Sequence, residues 1–225
     1  GKGYLVGIEM LDRAIENDPK NASAWLWRGL LFKELGLMER GRDDLLACLE
    51  IDPAYLNCTA HLADAQLNLG NHDEALRLLE ETVEENFYSA TESFVSHLLN
   101  NGQRLSALVL ASGSIRQPYA PVKDWIDMLE HPDKDPAMAV ERWRAWAEDN
   151  GLDICSISEI LIPLKLYHCL DKSDFVDDIW LPYAAGFRKS AYFKEFADRK
   201  FLPYWRKHGF PPQCRPIGEE DFECD

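Results

Sequence analysis

The sequence has no uninterrupted run of about 18 apolar residues, which argues against any helix that crosses a bilayer. Basic residues are scarce: 24 Lys and Arg stand against 39 Asp and Glu, for a formal net charge of −15 at pH 7. Phosphate contacts need clustered cations, so this balance argues against nucleic-acid binding by the segment and against an anionic membrane surface as partner. The short group Arg199, Lys200, Arg206, Lys207 and His208 does not reverse it. No Cys-x-x-Cys occurs, and the six histidines (His61, His72, His97, His131, His168 and His208) include no His-x-x-x-His. There is no Gly-x-Ser-x-Gly elbow, and Ser112-Gly-Ser114 reads as a turn. The many carboxylates read as solvated helix faces. No catalytic residue, metal site or cofactor is expected, and the segment reads as no enzyme. No stretch sustains period-2 alternation, so no sheet is expected.

What is present suits a folded chain: 225 residues, 46% hydrophobic and 28% charged, enough for one large domain or one solenoid with a cap. The chain opens Gly-Lys-Gly-Tyr, without Met and already inside a helical pattern. It therefore reads as a fragment or processed form, and the lack of a visible signal peptide says little.

The strongest signal is a repetition at 34 residues. Asp18-Pro19 recurs as Asp52-Pro53, and Leu35-Gly36 as Leu69-Gly70. Leu11, Leu45 and Leu79 coincide, as do Glu16, Glu50 and Glu84; Ala14, Cys48 and Thr82 are all small. Gly7, Gly41 and Ala75, with Gly29 and Ala63, mark places where helices approach closely. Gly after Leu supplies the left-handed turn that ends a first helix; Asp-Pro ends a second one.

This pattern resembles the tetratricopeptide repeat (TPR) family. The matching residues are Trp25, Gly29, Phe32, Gly36, Gly41, Leu45, Cys48 and Pro53 in 22–55, then Leu62, Ala63, Gly70, Ala75, Leu79 and Thr82 in 56–89, with Phe87 where Pro is usual. The resemblance implies an all-α, right-handed α-solenoid of helix pairs with a helical C-terminal cap. The expected organisation is a TPR array over 1–112 (partial repeat 1–21, repeats 22–55 and 56–89, degenerate repeat 90–112, in which Gly102 comes early), then a helical extension over 113–225 with a cysteine-bearing tail. In that extension helices are expected over 122–130, Ala137–Asn150 and Ser156–Leu170, then either two short helices over Asp174–Trp180 and Pro182–Lys189 or one broken helix. The tail aromatics Tyr192, Phe193, Phe196, Phe201, Tyr204 and Trp205 have the spacing of core residues.

In TPR arrays the first helix of each pair lines a concave face that binds a protein or peptide. By position, that face here would offer Ser23, Leu26, Leu30, Lys33 and Glu34, then Asn57, Ala60, Asp64, Leu67 and Asn68, with Thr91 and Phe94 beyond. The family's clamp for acidic peptide C-termini needs Lys, Arg and Asn at set positions; Leu26 and Leu30 occupy two of them, so the clamp is not carried over. The alternative is that residues after 112 fold back and fill the groove.

The tail carries a second resemblance. Phe187-Arg-Lys, Phe193, the run from Tyr204 through Cys214-Arg-Pro216, and Asp221-Phe-Glu-Cys224 look like the end of a bacterial family of TPR-bearing membrane-bound signalling proteins. Those carry an output domain of the CadC/ToxR winged-helix type or a nucleotide cyclase. The resemblance implies a sensory or scaffolding module in the periplasm that binds a protein or peptide or self-associates. The alternatives are a cytoplasmic TPR adaptor and, further off, a small-ligand sensor or enzyme domain.

Six cysteines bear on the compartment. Cys214 and Cys224, ten apart around Pro216 and Gly218, form a candidate disulfide, to which the tail resemblance adds; two free thiols are the alternative. Cys48 and Cys58 lie on consecutive antiparallel helices at similar depth, so a bond is possible, although Cys48 equally suits a small-residue packing position. Cys155 and Cys169 bracket an expected helix about 20 Å long and are read as free thiols, unless Pro163 breaks that helix.

Overall fold

The 34-residue period becomes a succession of helix pairs. The structure, a computed structural model, describes residues 3–84, 91–114, 120–172, 177–218 and 221–225. In chain order come α1 (Gly3–Asn17), α2 (Ala22–Glu34), α3 (Met38–Ile51), α4 (Leu56–Asn68), α5 (His72–Glu84), α6 (Thr91–Asn100) and α7 (Arg104–Ser114). The fold is all-α and solenoid-like: α1 to α5 each pack mainly on their sequence neighbours, and α6 packs on α7.

The turns inside the pairs share one geometry. Gly36, Gly70 and Gly102 adopt φ of 77°, 81° and 72°. The next amide reaches back five residues, closing a six-residue loop: Leu37 N to Phe32 O at 2.9 Å, Asn71 N to Gln66 O at 2.9 Å, Gln103 N to Leu98 O at 2.8 Å. This satisfies carbonyls orphaned at the helix end. Gly102, early by the repeat count, thus performs the same closure as its two predecessors. Between α2 and α3 the backbones meet at Gly29 and Gly41. A Cβ at Gly41 would lie 2.8 Å from Lys33 Cγ and 3.0 Å from Gly29 O.

After α7 follow α8 (Val122–Glu130), α9 (Ala137–Asp149), the short α10 (Ser158–Leu161), α11 (Ala185–Arg188), α12 (Ala191–Lys200) and α13 (Leu202–His208). Short 3₁₀ turns occupy Ile154–Ser156, Tyr167–Lys172, Asp177–Trp180 and Pro182–Ala184. Part of the expected helix from Asp174 lies outside the described residues, as does Phe87.

The single helix expected over Ser156–Leu170 is not formed. It stops at Leu161, and Lys165 then takes φ of 56°. Leu166 N donates to Leu161 O at 2.8 Å, the same six-residue closure made here without glycine. Pro163 cannot continue the hydrogen-bond ladder, and the chain reverses. The expectation of no sheet is also corrected. Strands β1 (Cys214–Ile217) and β2 (Asp221–Cys224) pair antiparallel, with Cys214 opposite Cys224 and Ile217 opposite Asp221. Four residues per strand are too few to register as alternation. The hairpin is held instead by its cross-strand disulfide, an Arg215–Glu223 ion pair and buried Phe222, packed on Phe193, Trp205 and Phe210.

Two compact units divide the chain: residues 1–90 with 189–225, and residues 91–188. This division does not follow the boundary expected at 112. In the first unit the tail closes onto the first helices. Trp205 Nε1 donates to Leu35 O at 3.0 Å, Arg40 donates to Tyr204 Oη at 2.6 Å, and Tyr4 and Phe201 meet edge to face at 5.3 Å. Phe193, Phe196, Phe201, Tyr204 and Trp205 are buried, as their spacing predicts, and Tyr192 is half-buried. The second unit is built on Trp125, Trp143, Ile160, Cys169 and Ile179, all fully buried. Arg104 ties α7 to Asp127 and Glu130 of α8, and Arg142 ties α9 to Asp124 at 2.5 Å. Buried Arg188 donates to the carbonyls of Ile179 (2.7 Å) and Leu181 (3.0 Å).

Candidate functional site: the helix-pair groove and the cysteine pairs

The residues expected along the groove fall on α2, α4 and α6, and most are withdrawn from solvent. Leu26, Leu30, Lys33, Glu34, Ala60, Asp64 and Leu67 are buried; so is Phe94, which belongs to the second unit. Asn57 and Asn68 are half-buried, and Ser23 is exposed. The Thr91 side chain lies outside the described residues. The polar members are occupied with one another. Lys33 Nζ, 0% exposed, lies 2.5 Å from Asp64 Oδ2 and 3.5 Å from His61 Nδ1. Asn68 Nδ2 donates to Asp64 O at 2.9 Å and to Asp64 Oδ1 at 3.1 Å, and Tyr4 Oη donates to Glu34. Ser23 Oγ lies 3.2 Å from Tyr55 Oη.

A buried lysine is tolerated only where its charge is matched, and Asp64 supplies the match across α2 and α4. The groove positions therefore act first as an internal polar seam between first helices. Ser23, Asn57 and Asn68 are what remains within reach of a partner.

A second charged knot was not foreseen from the sequence. Arg28 lays its fork on Asp44 (2.7 and 2.8 Å) and its other nitrogen on Asp12 (2.7 Å), with its guanidinium 4.8 Å from the Trp25 ring centroid. The hydrogen bond to Asp44 holds Arg28 above its ordinary pKa. One residue thus fastens α1, α2 and α3. Its only trace in the sequence is a cation on α2 with acids on both neighbouring helices.

Residues 3–55, the span of α1, α2 and α3, match the family model described as tetratricopeptide repeat. The match supports a TPR protein. No solved structure matches the chain. The Lys33–Asp64 seam runs from α2, inside the matched span, to α4, beyond it.

All six cysteines are paired. Cys48 and Cys58 join α3 to α4 with Cα atoms 6.4 Å apart, and Cys214 and Cys224 join β1 to β2 at 4.1 Å. Cys155 and Cys169 are joined at a Cα separation of 5.0 Å, which corrects their reading as free thiols. The broken helix is the reason: with α10 ending at Leu161 and Lys165 reversing the chain, the two 3₁₀ turns that carry them pack side by side. Asp153 Oδ1 accepts from the Cys155 amide at 3.0 Å and fixes the first of these turns.

Among the described residues, no helix is long and apolar enough to cross a membrane. A cleft of about 400 Å³ in the second unit is bordered by Met128, Ile162, Pro163, Tyr167 and Phe187, with Asp133 and Lys165 beside them.

Proposed function

We propose that the chain is a non-catalytic protein-interaction module that works in an oxidising, extracytoplasmic compartment, as the sensory or scaffolding part of a bacterial membrane-bound regulator. One observation carries the reading: a TPR match over residues 3–55 in a chain whose six cysteines are all paired. TPR pairs present surfaces to proteins, and structural disulfides persist where thiols are not kept reduced. The resemblance of the tail from Tyr204 to Cys224 to TPR-bearing membrane-bound regulators supports the rest of the proposal.

The partner is a protein or peptide, or a second copy of the chain. Two surfaces support contact. Ser23, Asn57 and Asn68 remain on the groove side of the array. On α7, Leu105 and Val109 are 76% and 67% exposed and lie four residues apart on one helix face.

Thiol titration of denatured protein, prepared without reductant from its own cells, tests the compartment. No reactive thiol is the expected result, and six would favour the cytoplasmic adaptor instead. Photo-crosslinking from Ser23, Asn68, Leu105 and Val109 tests the interaction. A discrete adduct is expected at the groove positions or on the α7 face; adducts at none of the four would remove the binding reading.

A further inference from the structure

The break after α10 brings a third group to the Cys155–Cys169 pair. His168 is exposed, and its Nε2 lies 3.6 Å from Cys169 Sγ. The Cys155, His168 and Cys169 ligand atoms all lie within 4.8 Å of one another. Among the described residues no other group of three His, Cys, Asp or Glu side chains comes together in this way. On a regular α-helix, residues 168 and 169 would point about 100° apart. The 3₁₀ turn of Tyr167–Lys172 packs against the turn Ile154–Ser156 and places both beside Cys155 instead.

The Cys169 sulfur and the His168 nitrogen stand at the spacing of two ligands on a common cation, and breaking the Cys155–Cys169 bond frees the second sulfur. With zinc about 2.3 Å from a thiolate and about 2.0–2.1 Å from an imidazole nitrogen, tetrahedral geometry separates sulfur and nitrogen by about 3.5 Å. Cys169 and His168 already stand at 3.6 Å. We infer that Cys155, Cys169 and His168 form a redox-gated site for a soft divalent cation such as zinc: closed as the disulfide, open when the pair is reduced.

The chemistry balances with a dithiol as reductant. The dithiol gives up two electrons and two protons and becomes a disulfide. The Cys155–Cys169 S–S bond breaks, and each sulfur leaves as a thiol. The cation then displaces both thiol protons to solvent and is held by two thiolates and the neutral Nε2 of His168. Two negative charges meet two positive ones, and a fourth position stays open to water, as in three-ligand zinc sites. The exposed imidazole gives the cation its approach, whereas Cys48 and Cys58 are both fully buried.

The test is cobalt(II) titration of the whole chain, reduced with dithiothreitol and desalted without oxygen. The expected result is one equivalent bound with a thiolate-to-cobalt charge-transfer band, and cobalt protection of Cys155 and Cys169 from alkylation read by mass spectrometry. His168→Ala, a change at an exposed position, weakens binding at least 10-fold. Cys155→Ser removes the band, and the double variant Cys214→Ser with Cys224→Ser keeps it. No uptake by the reduced protein, uptake that survives Cys155→Ser, affinity unchanged in His168→Ala, or loss of the helical circular dichroism on reduction would each overturn the inference.

Discussion

Lys33 and Asp64 are 0% and 4% exposed, so neither charge has water to fall back on. Lys33→Ala strands a buried carboxylate and is expected to destabilise the protein by about 3–5 kcal/mol in denaturant unfolding, whereas Lys33→Met with Asp64→Leu is expected to be close to neutral. A Lys33→Ala loss below about 0.5 kcal/mol would show that Asp64 needs no partner there. Glycines separate two other effects at this scale. Gly41→Ala pushes a methyl against Lys33 and the Gly29 carbonyl and should cost about 1–3 kcal/mol through crowding. Gly70 has open space around it, so Gly70→Ala should cost about 1 kcal/mol through its φ of 81° alone, with Gly70→Asn costing less. Asp221, beside Lys194 Nζ at 2.9 Å and accepting from the Phe222 amide, is held below the ordinary carboxylate pKa. Its contribution to the hairpin is therefore present above the usual Asp range and lost as pH falls through its lower folded value. An NMR titration should show the depressed midpoint, and Lys194→Ala should raise it towards the ordinary value.

Elements here are decided by their ends. The glycine closures at 36, 70 and 102 stop α2, α4 and α6 and set the pairing. Where no glycine stands, at Lys165, the same closure still forms, and it creates the Cys155–Cys169 contact. The hairpin is the converse case: two four-residue strands with little propensity of their own, held by a covalent bond and Phe222. Replacing Cys214 and Cys224 by Ser should destabilise the protein by about 2–3 kcal/mol and raise amide exchange in β1 and β2 ahead of α12 and α13. Uniform exchange across the tail in that variant would mean that Phe222 alone fixes the hairpin.

At the scale of the whole molecule, the first unit is built from both ends of the chain. Trp205 on Leu35 O, Arg40 on Tyr204, Lys207 near Glu9 at 3.1 Å and Phe201 against Tyr4 fasten residues 189–225 to α1, α2 and α3. Removing residues 189–225 should expose Phe32 and Leu35 and lower the melting temperature by about 10 °C or more, with loss of cooperativity in calorimetry. An unchanged transition would make the tail an appendage and the helix pairs self-sufficient.

The repeat is legible in the sequence because a helix pair is a local object: period, glycine turn and small-residue contact all lie within 34 residues of one another. Trp25, Gly29, Gly36 and Gly41 state it, and α2 and α3 follow. The groove is legible as positions only. Lys33 and Asp64 are 31 residues apart, and nothing in a linear pattern says that a lysine and an aspartate on two first helices will bury each other. The same limit hides the Cys155–Cys169 pair, since apolar periodicity extends through Pro163 and does not reveal a reversal at Lys165. The sequence by itself determined the helix pairs, their turns and the aromatic character of the tail, because those depend on backbone preference and on which face is apolar. Only the tertiary structure decided which charges are sealed in, which sulfurs meet, and that the tail returns to the first helices, because those contacts join residues that chain order keeps apart.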